Sequence, residues 1–165
     1  LYELFQSGLS ILEEAGYKRY EISAYGKSKD VRCLHNLNYW KFGDYLGIGC
    51  GAHGKLTLLD GSIYRTEKLS SPKSYMLGAY ELKTLKVQKD EIIFQYFLNK
   101  FRLVNNRVYE LELLNNTGFS FISIEKQIKS LNRKEFLLYN KEDGYIELTD
   151  KGFLFLNDVL EEFLN

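Results

Sequence analysis

The chain has 165 residues, enough for one ordinary domain or two small ones, and its apolar and aromatic content is that of a folded protein. Its 22 basic and 22 acidic side chains cancel, so no global field favours nucleic acid or an anionic membrane surface. No apolar run reaches the length of a membrane span, so stable membrane insertion is not expected, and two cysteines do not make a disulfide framework, so a reducing cytoplasm is the expected compartment.

Taken in chain order, Leu1 to Ala15 predicts a helix with Leu1, Leu4, Phe5, Leu9, Leu12 and Ala15 on one face and Glu13 and Glu14 opposite. Gly16 is placed to end it, and Tyr17 to Ser23 reads as a strand. A helix, a glycine and a strand make half of an α/β repeat, which expects parallel strands that this chain does not supply. The chain opens at Leu1 inside a helical pattern and Met76 is its only methionine, so a piece of a longer protein is expected.

Ala24 to Leu34 reads as a polar loop. It delivers the chain to HNLNYWKFGDYLGIGCGAHG, residues 35–54, which holds both histidines, the single tryptophan and five of the 13 glycines. His35 to Tyr45 suits a surface-reaching turn or short helix. Leu46 to Gly54 reads as a strand with glycines at 47, 49, 51 and 54; glycine at every second position strips one face of side chains, so that a ligand or another backbone lies against it.

Lys55 to Leu59 and Ser62 to Thr66 flank Asp60-Gly61, the signature of a tight hairpin. Ser71-Pro72 predicts a helix start, with Tyr75, Met76, Ala79, Tyr80 and Leu82 following. Lys83 to Lys89 reads as a polar linker, dividing the chain into residues 1–82 and 83–165. Beyond it, Asp90 is read as the cap of a helix whose face carries Ile93, Phe94, Phe97 and Phe101, and Asn105-Asn106 as a turn. Val108 to Leu114 and Ile124 to Leu131 are expected as short helices, Phe136 to Tyr139 and Tyr145 to Leu148 as two strands. Thr149 caps a last helix with Phe153, Leu156, Leu160, Phe163 and Leu164 turned inward. Helices, a two-stranded wing and a closing helix describe a winged-helix-like unit in an α+β chain.

Several of these residues carry a resemblance. Tyr20-Glu21-Ile22-Ser23, the run Cys33-x-His35-Asn36-x-x-Tyr39-Trp40, the run Phe42 to Gly54, then Arg65-Thr66, Ser71-Pro72-x-x-Tyr75-Met76, Phe101-Arg102-Leu103, Thr117-Gly118 and Leu148-Thr149-x-x-Gly152-x-x-Phe155-Leu156-Asn157 stand in one order. In that order they resemble the radical S-adenosylmethionine proteins related to oxygen-independent coproporphyrinogen III oxidase, the HemN/HemW type. HNxxYW points to the HemW branch, read as haem chaperones. The resemblance covers almost the whole chain, but the CxxxCxxC motif that ligates a [4Fe–4S] cluster is absent, as is most of the partial β/α barrel. It therefore implies the tail of that barrel (1–82) followed by the C-terminal winged-helix-like domain (83–165). The implied role is haem or porphyrin binding and transfer to an acceptor protein, with the cluster and S-adenosylmethionine held by the N-terminal barrel portion. On this reading the fragment alone is not an enzyme. Coproporphyrinogen III oxidation by the intact protein is the alternative, and a nucleic-acid-binding winged helix a third. Asn105-Asn106 stands where the family would have a glycine.

The resemblance implies His35, Asn36, Tyr39, Trp40, Gly49, Gly51, Ala52 and His53 as binding residues, with His35 as the ligand to haem iron, since histidine is the usual proximal ligand. The alternative is that His35 hydrogen-bonds a loop while Trp40 fills the core. Gly51, Ala52 and His53 would stand at the C-terminal end of the last barrel strand, where β/α barrels build their sites. Cys33-x-His35 with Cys50-x-x-His53 lacks the spacing of a recognised zinc module. Glu21 is open between an orienting carboxylate and an ordinary ion pair. Lys126, Lys129, Arg133 and Lys134 form a basic stripe that Glu125 and Glu135 offset, so a solvated face is favoured over nucleic acid.

Overall fold

A computed structural model describes residues 2–164, and their side chains except those of Tyr2, Glu81 and Leu82. The predicted places of Leu1, and of the Leu82 side chain, lie outside the described residues. The N-terminal half contains α1 (Tyr2–Glu14), β1 (Lys18–Glu21), β2 (Ala24–Gly26), α2 (Leu34–Trp40), β3 (His53–Thr57), β4 (Ile63–Lys68), α3 (Pro72–Met76) and β5 (Glu81–Lys86). The C-terminal half contains α4 (Lys89–Lys100), β6 (Val108–Tyr109), α5 (Glu110–Thr117), α6 (Glu125–Arg133), β7 (Leu137–Asn140), β8 (Tyr145–Leu148), α7 (Asp150–Leu154) and α8 (Leu156–Glu161). Every strand pair among the described residues is antiparallel, in sheets ordered β1-β2, β3-β4-β5 and β6-β8-β7.

α1 ends at Gly16 as expected, with a φ of +82° and the Tyr17 N–H donating back to the Leu12 carbonyl. Its apolar face is largely uncovered, because Leu4 and Phe5 are exposed and only Leu9 and Leu12 are half-buried. The strand after it does not wait for a parallel neighbour. The Glu21 carboxylate accepts the Ser23 N–H at 3.0 Å and helps shape a turn, so Ala24–Gly26 folds back as β2 instead of running on as loop. The segment after α4 joins the opposite edge of β1, where Ile22 N–H donates to Arg102 O and Val104 N–H to Tyr20 O.

The Asp60-Gly61 hairpin forms as its residues predict, pairing β3 with β4 from His53↔Glu67 to Thr57↔Ile63. Ser71 caps α3 through its side-chain oxygen, but the helix stops at Met76. Lys83–Lys89 is not a linker. Glu81–Lys86 is an edge strand on β4, with Tyr64↔Lys86 and Thr66↔Thr84 in register, so the boundary drawn at 82/83 falls inside β5. Its lysines misled because an edge strand tolerates charged side chains, which also deter further pairing.

α4 begins two residues earlier than Asp90 suggests. Gln88 is the N-cap and its N–H donates to the Glu91 carboxylate, while Asp90 sits within the first turn, facing the positive end of the helix. Val108 and Tyr109 are strand rather than helix, pairing with Ile146 and Tyr145. The predicted closing helix breaks at Phe155, which stacks on Phe136 at 5.7 Å; Val159, Leu160 and Phe163 reach the core, whereas Leu164 is exposed. β6, α5, α6, β7 and β8 make the expected winged-helix-like unit. One core cluster runs from Phe42, Ile63 and Val87 into Tyr96, Phe97, Leu113, Ile128, Ile146 and Val159. The two halves thus share an interior, which fixes residues 42–65 against α4.

Candidate functional site

α2 is one short helix whose side chains repeat at four-residue spacing, so His35 lies above Tyr39 and Asn36 above Trp40. One of its unpaired N-terminal donors, the Cys33 N–H, is taken by the Tyr20 hydroxyl at 3.1 Å. The His35 and Tyr39 rings meet edge-on at 4.6 Å, and Tyr39 meets Tyr45 edge-on at 4.3 Å. Trp40 is half-buried under the Arg102 guanidinium, 4.9 Å from its ring. Asn36 is half-buried. His35 is exposed and no protein group hydrogen-bonds its ring among the described residues.

The helix ends on a strained residue. Phe42 has a φ of +63°, a region that a residue with a Cβ occupies at a cost, yet it is buried. That conformation drives its ring into the core, 5.3 Å from Tyr96, with the Lys55 ammonium 4.3 Å from its centroid. It also turns the chain so that Asp44 and Tyr45 meet β3, where Tyr45 and Lys55 exchange backbone hydrogen bonds.

The glycines after Tyr45 do not make a strand. Gly49 and Gly51 have φ of +104° and +68°, so the segment 46–52 is a loop and only His53 to Thr57 is strand. Of the two explanations for bare backbone, another backbone holds at Gly47, where a Cβ would stand 2.4 Å from the His53 carbonyl oxygen. Three of the loop's own amides are also taken. Gly49 N–H donates to the Tyr75 hydroxyl, Gly51 N–H to Leu69 O, and Ala52 N–H to Gly49 O. His53 consequently opens a strand instead of closing one, and its side chain is exposed.

Sequence reasoning missed the charged centre between these two pieces. Lys55 on β3 points inward, 2% exposed, and its ammonium donates to Asp44 Oδ1 at 2.7 Å and to Thr57 Oγ1 at 2.9 Å. Burial pushes the Lys55 ammonium below the usual lysine range, against the attraction of Asp44. Burial alone would raise Asp44, but donation from Lys55 and from the Thr57 N–H and hydroxyl outweighs it and holds that carboxyl below its usual range. Next on the sheet, Arg65 donates through Nε and Nη2 to the Gln95 side-chain oxygen and through Nη1 to the Tyr45 hydroxyl. Tyr45 and Arg65 lay inside quoted motifs. Nothing local marked them, because their meeting depends on the β3-β4 register and on the docking of α4.

Two cavities flank Arg65. One of about 730 Å³ is lined by His53, Gly54, Phe94, Gln95, Leu98 and Phe163 among others, and one of about 270 Å³ by Tyr39, Trp40, Gly43 and Lys55. Tyr45, Arg65 and Asn99 belong to both walls. The structure therefore brings Tyr39, Trp40 and His53 around one centre. His35 reaches it through the Tyr39 ring, and Gly49, Gly51 and Ala52 support the loop that precedes His53.

Other candidates resolve differently. Cys33 and Cys50 are exposed and unbridged, and among the described residues no three His, Cys, Asp or Glu side chains converge for a metal. These residues do not fit a [4Fe–4S] cluster. Glu21 is buried, accepts from Ser23 and enters no ion pair among the described residues, so the ion-pair reading fails. In the basic stripe, Lys129 pairs with Glu125, and Lys134 with Glu162. No helix among the described residues is long and apolar enough to cross a membrane.

No protein-family model matches the chain. It is 43% identical over 99% of its length to "Heme chaperone HemW" of Haemophilus influenzae and 42% identical over 99% to that of Escherichia coli. It covers 42% of each, so the chain spans well under half the length of the curated relatives it matches. Its fold is that of part of a solved coproporphyrinogen III oxidase (HemN) from Escherichia coli, a radical SAM enzyme, with a TM-score of 0.68 at 14% identity over 98% of this chain and 40% of that one. Along its length the chain is similar to the C-terminal portion of HemN/HemW-type radical SAM proteins, as its motifs imply.

Proposed function

We propose that this chain is the haem-binding portion of a HemW-type haem chaperone, with His35 as an axial ligand to the haem iron. The observation that carries this reading is the state of His35. It stands exposed on α2 with no hydrogen bond to its ring, edge-on to Tyr39, in a chain 42–43% identical to haem chaperones. A histidine that held a loop would have a protein partner for at least one nitrogen, whereas an exposed imidazole nitrogen that no protein group takes is open to iron. Tyr39 holds one side of the ring and limits its rotation. Haem is cargo here, received and passed to an acceptor protein, in the cytoplasm. In a full-length protein of this kind the [4Fe–4S] cluster and S-adenosylmethionine belong to the part outside these 165 residues, since the residues present do not fit the cluster.

The test is haem titration followed at the Soret band, in wild type, His35→Ala and Lys129→Ala. A saturable shift is expected in wild type and in the Lys129 variant, weakened or lost in the His35 variant. An unchanged titration in His35→Ala would remove that residue as the ligand.

A further inference from the structure

Among the described residues, Arg65 is a cation without an anion. Its guanidinium has five N–H groups, of which three bonds are made, all to neutral acceptors: two to the Gln95 oxygen and one to the Tyr45 hydroxyl. It is partly buried and enters no ion pair among the described residues, although Asp90 and Glu91 line the larger of its two cavities. Glu91 is turned instead to the Gln88 N–H. Desolvating a guanidinium is costly unless an opposite charge answers it, and the structure answers it only with dipoles.

A second observation points to the same place. The Trp40 Nε1–H is buried and has no hydrogen-bond partner among the described residues, and Trp40 lines the smaller cavity together with Arg65, Lys55 and Asn99. That wall is rich in donors, and the carboxylate of Asp44 beside Lys55 is already engaged by Lys55 and Thr57. Across Arg65 the larger cavity offers apolar walls from Phe94, Leu98 and Phe163, and its volume of about 730 Å³ falls in the range of small-molecule sites. The lining chemistry is that of an apolar body with an acidic tail.

Resting on the haem-binding reading, we propose that Arg65 is the anchor for a carboxylate of the bound ring: the planar apolar body lies against Phe94, Leu98 and Phe163, and its carboxylate takes the unused Arg65 N–H groups. A guanidinium already braced by Gln95 and Tyr45 presents its remaining donors in a fixed direction, which suits a carboxylate.

The experiment separates the two roles by leaving out the iron. Metal-free protoporphyrin and its dimethyl ester are titrated by fluorescence into wild type, Arg65→Gln and His35→Ala, and haem is titrated in parallel. The expected result is a preference of wild type for the free acid of about tenfold, the scale of one charge-assisted hydrogen bond, retained in His35→Ala and abolished in Arg65→Gln. Equal binding of acid and ester by wild type, or a preference that survives Arg65→Gln, overturns the carboxylate anchor. A haem titration that still responds to His35→Ala would then leave the haem reading standing. Absence of all porphyrin and haem binding overturns both. Should Arg65→Gln not fold, as judged by circular dichroism, Arg65→Lys keeps the charge but loses the fork, and an undiminished preference there would equally sink the proposal.

Discussion

In the C-terminal half Leu113, Ile146 and Val159 are wholly buried, whereas in the N-terminal half Leu4, Leu34 and Ile48 are three-quarters or more exposed. The first region is a packed interior: Phe97 stacks on both Phe101 and Phe163, and the buried Lys100 is answered by Glu112. The second holds a strained Phe42, a glycine loop tied to Tyr75 and Leu69 through its amides and, among the described residues, an indole N–H without a partner and an arginine without an anion. Stability is concentrated in one region and candidate chemistry in the other. Sites keep polar groups underused and backbone under tension, and a neighbouring well-packed core holds that arrangement in place. Here the link is material, since Phe42 and Ile63 belong to the core cluster of α4–α8 while their neighbours Tyr39 and Arg65 line the cavities.

The largest effect should fall in the packed region. Leu113→Ala, at a position with no exposure, should cost about 2–5 kcal/mol of stability by loss of apolar contact and a cavity left behind, read from the urea midpoint. A loss under 1 kcal/mol would mean that the C-terminal half is not the stable partner. Next comes an asymmetry within the candidate site. Asp44→Ala strands an ammonium that is 2% exposed, and a cost of about 3 kcal/mol is expected; Lys55→Met leaves a carboxylate 41% exposed, with Thr57 still donating, and should cost less. Equal losses would show that burial of Lys55 does not govern the pair.

A smaller effect should follow at the loop. Gly47→Ala places a methyl 2.4 Å from the His53 carbonyl, and a loss of about 1–3 kcal/mol is expected, with weakened haem binding because His53 and Tyr45 shift together. A variant as stable as wild type would mean that this backbone contact is not tight. Asp44 also carries a pH signature. Its folded pKa lies below the ordinary 3.8, so the native state binds fewer protons than the unfolded chain near that pH. Its contribution is complete above the unfolded pKa and is lost as pH falls through the folded one. Asp44→Asn should therefore show a shallower loss of stability than wild type between about pH 5 and 2 in acid titration of the unfolding midpoint. The smallest effect belongs to the exposed apolar side chains. Leu46→Ser and Ile48→Ser should change stability by less than about 0.5 kcal/mol, since neither side chain is covered. Losses of several times that would contradict the division between the two regions.

Much of the fold was legible before the structure. The Asp60-Gly61 hairpin, the Ser71 and Thr149 caps and the Gly16 stop rest on chemistry within three or four residues, which a linear reading can see. Even the departure at Asn105 resolves locally. It adopts a φ of +51°, the left-handed conformation that asparagine tolerates better than most residues, where the family would have glycine. The failures each turned on something that residue type and spacing do not report. Glu81–Lys86 became strand because β4 lay beside it, and Ala24–Gly26 because β1 did. The alternating glycines were read as a strand because periodicity does not report the sign of φ.

For the candidate site the sequence by itself determined the inventory: His35, Tyr39 and Trp40 at helical spacing, a glycine-rich run, then His53, and the family resemblance that tied them to haem. Only the tertiary structure decided their company. Asp44 meets Lys55 because Phe42 turns left-handed, and Arg65 meets Tyr45 and Gln95 because the β3-β4 register and the docking of α4 place three segments, 20 and 30 residues apart, around one guanidinium. Local spacing sets which side chains share a face. Which faces then meet depends on burial and register summed over the whole chain, and an unpaired charge becomes visible only once its surroundings are in place.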